Sequence, residues 1–271
     1  MVRIAITGIS GLAGGHVGRH LIARGHEVLG ISRHCPATDA ATPMRQVADA
    51  QKADAWATAL ADCDIVFHFA DRADRRSYTD DNVGDAARVM TAIRDAAAEL
   101  GLARIVAASS IYAELPDLPA NRYGRSKRGM EAVALGSSLG LPAIVLRLPP
   151  LYGSSAGGMM ALVNRAVARG WPLPFGMATA GRRFLSLDAL ASLCAHLVEV
   201  DAAVFARMTG QVWGPADPQV VSLKALAKSL GRARLIPVPG IDRLIGGRIA
   251  PAQIIAEQER IAQASGWRIG R

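Results

Sequence analysis

The chain has 271 residues, enough to bury a sizeable core as one large α/β domain or as one domain with a smaller partner. Its formal net charge of +8 suits anions such as phosphates, but the 31 Lys and Arg are scattered and aromatic residues make up 5% of the chain, which argues against a base-stacking surface for nucleic acid. Cys35, Cys63 and Cys194 lie far apart with no C-x-x-C or Cys/His ligand spacing, so buried free thiols are expected and disulfides or a zinc site are not.

The amino terminus, MVRIAITG, enters a strand at once and lacks the charged-then-apolar layout of a signal peptide. No apolar run approaches the roughly 18 residues that a membrane helix needs, and a reducing cytoplasm is the expected location. Short β-branched runs then alternate with alanine-rich segments. The strands are VRIAIT (2–7), HEVLGIS (26–32), a third ending in RQVAD (45–49), DIVFHFA (64–70), ARIVAASS (103–110) and PAIVLRL (142–148). Helical patterns fill 12–24, 81–100 and 121–139 between them. Near-continuous apolar strands with helical crossovers predict a doubly wound parallel α/β sheet covered on both faces.

After residue 148 the rhythm changes. Residues 149–181 carry Gly and Pro clusters around one helix at 159–169, and RRFLSLDALASLCAHLVEV (182–200) reads as a strand–helix unit expected to rejoin the sheet. A strand after Thr209, a short helix after Ser222 and a final helix from Pro251 complete the chain. The expected organisation is a dinucleotide-binding domain at 1–148 and a small substrate-binding region at 149–271, with about 182–205 returning to the first domain. The tail is expected over the carboxyl ends of the strands, where ligands bind in open α/β sheets.

TGISGLAGGHVG follows the first strand directly and opens a helix, with Gly8, Gly11 and Gly14 spaced G-x-x-G-x-x-G. The first glycine allows a tight turn, the second lets backbone approach a pyrophosphate, and the third lets helix and strand pack closely. The helix amino end offers free N–H groups to that anion. The second strand ends in GISRH, without the acidic residue that holds a ribose 2′-hydroxyl in NAD-binding folds. Arg33 is read as meeting the 2′-phosphate of NADP, with a solvated surface arginine as the alternative. Asp49 is read as accepting from an adenine amino group or as a helix cap.

YGRSK places Tyr123 and Lys127 four residues apart, on one helix face, so both polar tips reach one point in space. Ser109 and Ser110 end the strand before that helix, at the carboxyl edge where substrate is expected. Together these pieces resemble the short-chain dehydrogenase/reductase superfamily, in its extended branch of nucleotide-sugar epimerases, dehydratases and reductases. The resemblance runs through the glycine loop, HFA at 68–70, the serine pair, Y-x-x-x-K, LRLPPLYG at 146–153, RRFLSLDAL and ERIAQASGW.

It implies that Tyr123 exchanges a proton with the substrate oxygen, that Lys127 favours the phenolate and holds the nicotinamide ribose, and that Ser110 donates to the substrate oxygen. Ser109 stays open as the alternative to Ser110 and as a substrate contact, because SSIYAE lacks the glycine of the family's S-S-x-x-V-Y-G. Ser10, Leu12, Phe69, Ala70 and Leu148 are expected to join the glycines, Arg33, Asp49, Tyr123 and Lys127 in holding the cofactor. His68 is read as a strand histidine near the cofactor. Asn82 is read as a support for the active-site backbone or as a helix cap.

WPLPFG and GRRFLSLDAL resemble the segments that meet the nucleotide and its diphosphate, with Arg182 or Arg183 as a phosphate clamp or a plain surface pair. Pro149 and Pro150 stand where many sugar epimerases have an asparagine. The expected activity is 4-keto reduction of a nucleotide sugar with NADP preferred over NAD. A 4-epimerase with retained NAD and a non-catalytic NADP-binding regulator are the alternatives. A homodimer through helices 81–100 and 121–139 is the family's common assembly.

Overall fold

The computed structural model describes residues 1–33, 42–72, 75–116, 121–136, 140–153, 158–220, 222–245 and 249–270. Cys35 and residues 137–139 of the third predicted helix lie outside them. The elements in chain order begin β1 (Arg3–Thr7), α1 (Leu12–Ala23), β2 (Glu27–Ser32), β3 (Met44–Gln46), α2 (Ala53–Leu60), β4 (Ile65–His68), α3 (Asp85–Glu99), β5 (Arg104–Ser110), α4 (Arg122–Ala134) and β6 (Ala143–Leu148). They continue with β7 (Leu151–Tyr152), α5 (Gly158–Ala168), β8 (Pro172–Leu173), β9 (Leu185–Ser186), α6 (Leu187–Glu199), α7 (Ala202–Met208), β10 (Val212–Trp213), α8 (Leu223–Ser229), β11 (Arg234–Leu235), α9 (Ile241–Ile245) and α10 (Pro251–Ser265).

Among the described residues, seven strands form one sheet in the order β10-β6-β5-β4-β1-β2-β3. β1 pairs in parallel with β2 and β4, β2 with β3, β4 with β5, and β6 with β10. This is the doubly wound α/β architecture, and its strand order reverses between β1 and β4. The chain divides into two compact units: Met1–Arg147 with Cys194–Trp213, and Leu148–Leu193 with the segment from Gly214 onward.

In the first unit, Trp56 and Leu60 of α2 and Ile93, Ala96 and Ala97 of α3 bury against Leu29, Val66 and Ile105 of the sheet. Burying each large apolar side chain contributes roughly 1.5–3 kcal/mol. Met90 of α3 and Met130 and Ala134 of α4 close over Ala107 and Val145. The alanines of α3 let α4 lie close beside it, and Arg94 reaches across to donate to the Ala134 carbonyl. In the second unit, Val163, Val167, Leu173, Phe184, Leu223 and Leu226 form a core of their own. Ser222 caps α8 by accepting from Ala225 N at 3.1 Å, and α10 ends at Gly266 in the left-handed conformation.

One expectation is corrected. The strand of segment 182–200 does not rejoin the main sheet: Leu185 and Ser186 pair with Leu151 and Tyr152 in a separate two-stranded ribbon. The place beside β6 is taken by Val212 and Trp213. Trp213 is 2% exposed and its indole N–H donates to the Met208 carbonyl, so this pair buries far more apolar surface at that edge than a Leu–Ser pair offers.

Candidate active site

The carboxyl ends of β1 and β4 are in register, with Thr7 opposite His68, and this is the point where the strand order reverses. A cleft of about 370 Å³ opens there, lined by Thr7, Arg33, Asp49, His68, Ala70, Asp71 and Lys127 among others. Gly8, with φ +69°, begins the loop after β1 and packs against Ala70 of the cleft wall, where a Cβ on Gly8 would meet Ala70 N at 2.8 Å. Gly11 N donates to Gly8 O at 2.9 Å, closing the turn. A Cβ on Gly14 would collide with the Gly8 carbonyl, so the third glycine is what lets α1 start so close to its own loop. No side chain caps α1 at Gly11. An uncapped helix start over a glycine cradle fits the pyrophosphate of a dinucleotide, since its first-turn N–H groups and dipole both favour an anion.

Thr7 and His68 anchor the floor. The Thr7 hydroxyl accepts from Ala70 N at 3.0 Å and lies 2.9 Å from His68 Nδ1. Burial, and then the Lys127 charge, lower the His68 pKa from 6.5 to about 4, against a smaller opposing effect of Asp71. His68 is therefore neutral at physiological pH.

Helix α4 carries Tyr123, Lys127 and Glu131 at intervals of four, on one face. Asn121 caps it by accepting from Gly124 N at 3.2 Å, and the Asn121 amide donates to the Tyr112 carbonyl at 3.1 Å. Gly124 explains the second letter of YGRSK, because a Cβ there would overlap the Tyr112 carbonyl and the Asn121 side chain. The Tyr123 ring sits edge-on to Tyr78 and Tyr112, with centroids at 5.2 and 5.7 Å. Lys127 Nζ lies 5.9 Å from the Tyr123 ring centroid and donates to Ala108 O at 3.1 Å. One turn on, Glu131 accepts from Ser109 Oγ at 2.5 Å and from Arg147 through two nitrogens at 2.8 and 2.6 Å.

The serine pair is thereby split. Ser109 is 4% exposed and its proton is engaged by Glu131. Ser110 Oγ accepts from Tyr112 N at 3.4 Å, which leaves its own proton unused in that bond. Its link to Tyr123 runs through Tyr112.

A residue the sequence reading missed sits at the centre of the site. Asp71 Oδ2 is 2.5 Å from Lys127 Nζ, and the two side chains are 19% and 7% exposed. Its other oxygen accepts from the Tyr78 hydroxyl and, at 2.7 Å, from Arg72 N. Burial opposes ionisation of Asp71, but the Lys127 ammonium and these hydrogen bonds outweigh it and hold the carboxyl below its ordinary range. Burial and the same carboxylate push the Tyr78 phenol up.

The other expected residues are distributed as follows. Arg33 and Asp49 line the cleft; Asp49 accepts from Gln51 N at 3.1 Å, and the cap position of α2 belongs to Lys52. Asn82 accepts from Thr79 N and donates to Ser77 O, both at 2.9 Å, bracing the loop before α3, whose cap position is Gly84. Phe69 stacks on Phe67 with centroids 6.1 Å apart. Ser10 and Leu12 are exposed at the start of α1, and Leu148 is half-buried at the end of β6. In the second unit, Arg182 is buried and pairs with Asp242 at 3.3 Å, while Arg183 is half-buried. Among the described residues no group of acidic, His and Cys side chains is arranged to hold a metal, and no helix is long and apolar enough to cross a membrane.

Comparison with known proteins agrees with the fold. A family model described as the NAD dependent epimerase/dehydratase family matches residues 4–206. Among solved structures, UDP-N-acetylglucosamine 4-epimerase from Bacillus cereus aligns with TM-score 0.70 and 20% identity over 88% of each chain. UDP-glucose 4-epimerase from Thermus thermophilus, solved with NAD, aligns with TM-score 0.68 and 20% identity over 99% of this chain and 94% of its own. An epimerase-like protein from Burkholderia cenocepacia gives 0.73 and 21% over 98% and 92%. At these identities the likeness is one of fold. Uncharacterized proteins of Mycobacterium bovis and Mycobacterium tuberculosis are 37% identical over 109 residues, which is 40% of this chain and 12% of theirs.

Proposed function

The chain belongs to the NAD dependent epimerase/dehydratase family, and we propose that it interconverts a hydroxyl and a keto group on the sugar of a nucleotide sugar, with 4-keto reduction as the net reaction. The observation that supports this reading is the α4 face that carries Tyr123 one turn from Lys127, whose side chain lines the cleft at the ends of β1 and β4. When bound, the dinucleotide supplies or accepts the hydride. In the reducing direction the substrate carbon gains that hydride and its oxygen takes the Tyr123 proton. Ser110, whose proton is not engaged in its bond to Tyr112 N, donates to the same oxygen. Lys127 has three N–H donors, two of them directed to Asp71 and Ala108, and the third serves the nicotinamide ribose.

NADP is the preferred cofactor in this reading, with Arg33 at the end of β2 meeting the 2′-phosphate. Gly8, Gly11 and Gly14 hold the pyrophosphate with Ser10 and Leu12, while Asp49, Phe69, Ala70 and Leu148 complete the cofactor contacts. Arg183, and Arg182 held by Asp242, serve the substrate diphosphate. Free, buried Cys63 and Cys194 suit a reducing cytoplasm, and α3 and α4 serve a homodimer. The second reading, epimerisation with a retained dinucleotide, is favoured by the two 4-epimerases of like fold.

Tyr123→Phe tests the chemistry. Turnover of a 4-keto UDP-sugar is expected to fall about a hundredfold or more, on the order of a lost general acid, with dinucleotide affinity retained; unchanged turnover refutes the assignment. Arg33→Ala is expected to weaken NADP about tenfold and NAD little, as loss of a charge-assisted contact would, and equal weakening would remove the phosphate role. Native mass spectrometry of the purified protein separates the two readings, since a retained dinucleotide marks the epimerase and an empty site that fills with NADPH marks the reductase.

A further inference from the structure

Lys127 is not a lone cation. Its ammonium meets Asp71 at 2.5 Å, and the carboxylate is fixed from the other side by the Tyr78 hydroxyl and Arg72 N. Nearby, the Arg72 guanidinium pairs with Asp85 at 2.8 Å, a carboxylate that Arg88 shares from its other oxygen, and His68 is neutral. Asp71 and Lys127 both line the cleft, so this end of it presents a polar but net-neutral pair.

The oxidised nicotinamide ring carries a positive charge and the reduced ring carries none. A lone ammonium beside the ring's ribose disfavours the oxidised form, and an ammonium cancelled by a carboxylate does not. We propose that Asp71, acting through Lys127 as a positioning residue, biases the site toward oxidised dinucleotide. The proposal rests on the reading that Lys127 serves the nicotinamide ribose. A site biased in this way suits the second reading, in which a retained oxidised dinucleotide first removes hydride from the sugar, better than it suits net 4-keto reduction.

The test is direct binding, without turnover. Dissociation constants for NADP+ and NADPH are measured by calorimetry on the wild type, Asp71→Asn and Asp71→Glu. In Asp71→Asn the ratio of the NADP+ constant to the NADPH constant is expected to rise about tenfold, the order expected when one of two nearby unit charges is removed at protein dielectric. Asp71→Glu, which keeps the charge, is expected to restore most of the wild-type ratio. If both constants move by the same factor, Asp71 has only a structural role and the proposal falls while the cofactor reading stands. If the wild type binds neither form, the cofactor reading falls and the proposal with it. Should Asp71→Asn not fold, Lys127→Met supplies the opposite sign: the exposed carboxylate is expected to lower the ratio, and an unmoved ratio overturns the proposal.

Discussion

Removing Glu131 should destabilise the first unit about as much as truncating a large buried apolar side chain. Glu131 accepts three hydrogen bonds, one from Ser109 and two from Arg147, and its side chain is 6% exposed against 24% for Arg147. Breaking a buried ion pair by deleting one partner costs about 3–5 kcal/mol, most of it from the stranded charge. Water still reaches about a quarter of Arg147, which places Glu131→Leu near the lower end, at about 3 kcal/mol. Ser109→Ala removes one hydrogen bond to a charged group and should cost about 1.5 kcal/mol. The double variant Glu131→Leu with Arg147→Met leaves no stranded charge and should recover to within about 1 kcal/mol of wild type. Urea unfolding followed by tryptophan fluorescence reads this out, because buried Trp213 pairs with Leu146, the neighbour of Arg147. A Glu131→Leu cost below about 1 kcal/mol, or a double variant no better than the single one, would refute the reasoning.

Gly14→Ala drives a methyl group onto the Gly8 carbonyl, with the Gly8 carbonyl carbon only 2.8 Å away. It is expected to weaken dinucleotide binding about tenfold or more by calorimetry and to cost about 1–3 kcal/mol of stability; unaltered affinity would remove the glycine loop from the site. His68 makes stability depend on pH with a definite sign. Its folded pKa of about 4 lies below the ordinary 6.5, so the unfolded chain binds the proton more readily. The folded state is favoured fully above pH 6.5 and loses about 3 kcal/mol as pH falls through about 4. Urea unfolding of His68→Asn between about pH 7.5 and 4.5 should lack that part of the slope, and an identical slope in both proteins would contradict the burial argument.

The sheet was legible because its information is local. Five of the six strands read from the sequence, β1, β2, β4, β5 and β6, contain β-branched residues, and α1, α3 and α4 lie within the helical patterns read from the sequence. The glycine loop and the Tyr123–Lys127 pair were legible for the same reason, since loop-then-helix and i, i+4 spacing are short-range relations. Asp71 was not legible. Its partner Lys127 is far away in sequence, and Asp71 itself lies in a loop with no period, so only the path of the chain after β4 brings the two charges together. Glu131 continued the interval of four from Tyr123 and Lys127, yet an acidic residue on an amphipathic helix defaults to the solvent side. What marked it was Arg147, a lone charge inside the strand PAIVLRL. The two-residue strands β7 to β11 carry too few residues for alternation to register, which is why Leu185–Ser186 was assigned to the wrong sheet.

The stripe on α4 also explains how a half-exposed helix start can hold the Tyr123 phenol in place. Apolar packing alone permits a helix to slide or rotate by small amounts, because it is non-directional. Here the helix is fixed by directed bonds at three successive turns: Asn121 to the Tyr112 carbonyl and from Gly124 N, Lys127 against Ala108 and Asp71, and Glu131 against Ser109 and Arg147. Rotation that moved Tyr123 would break the bonds of all three levels together, and each buried polar group left without its partner costs about 1–3 kcal/mol. The charges on this face therefore position the tyrosine. Substitutions at Glu131, one turn beyond Lys127, should alter the turnover proposed for Tyr123 through the position of the helix.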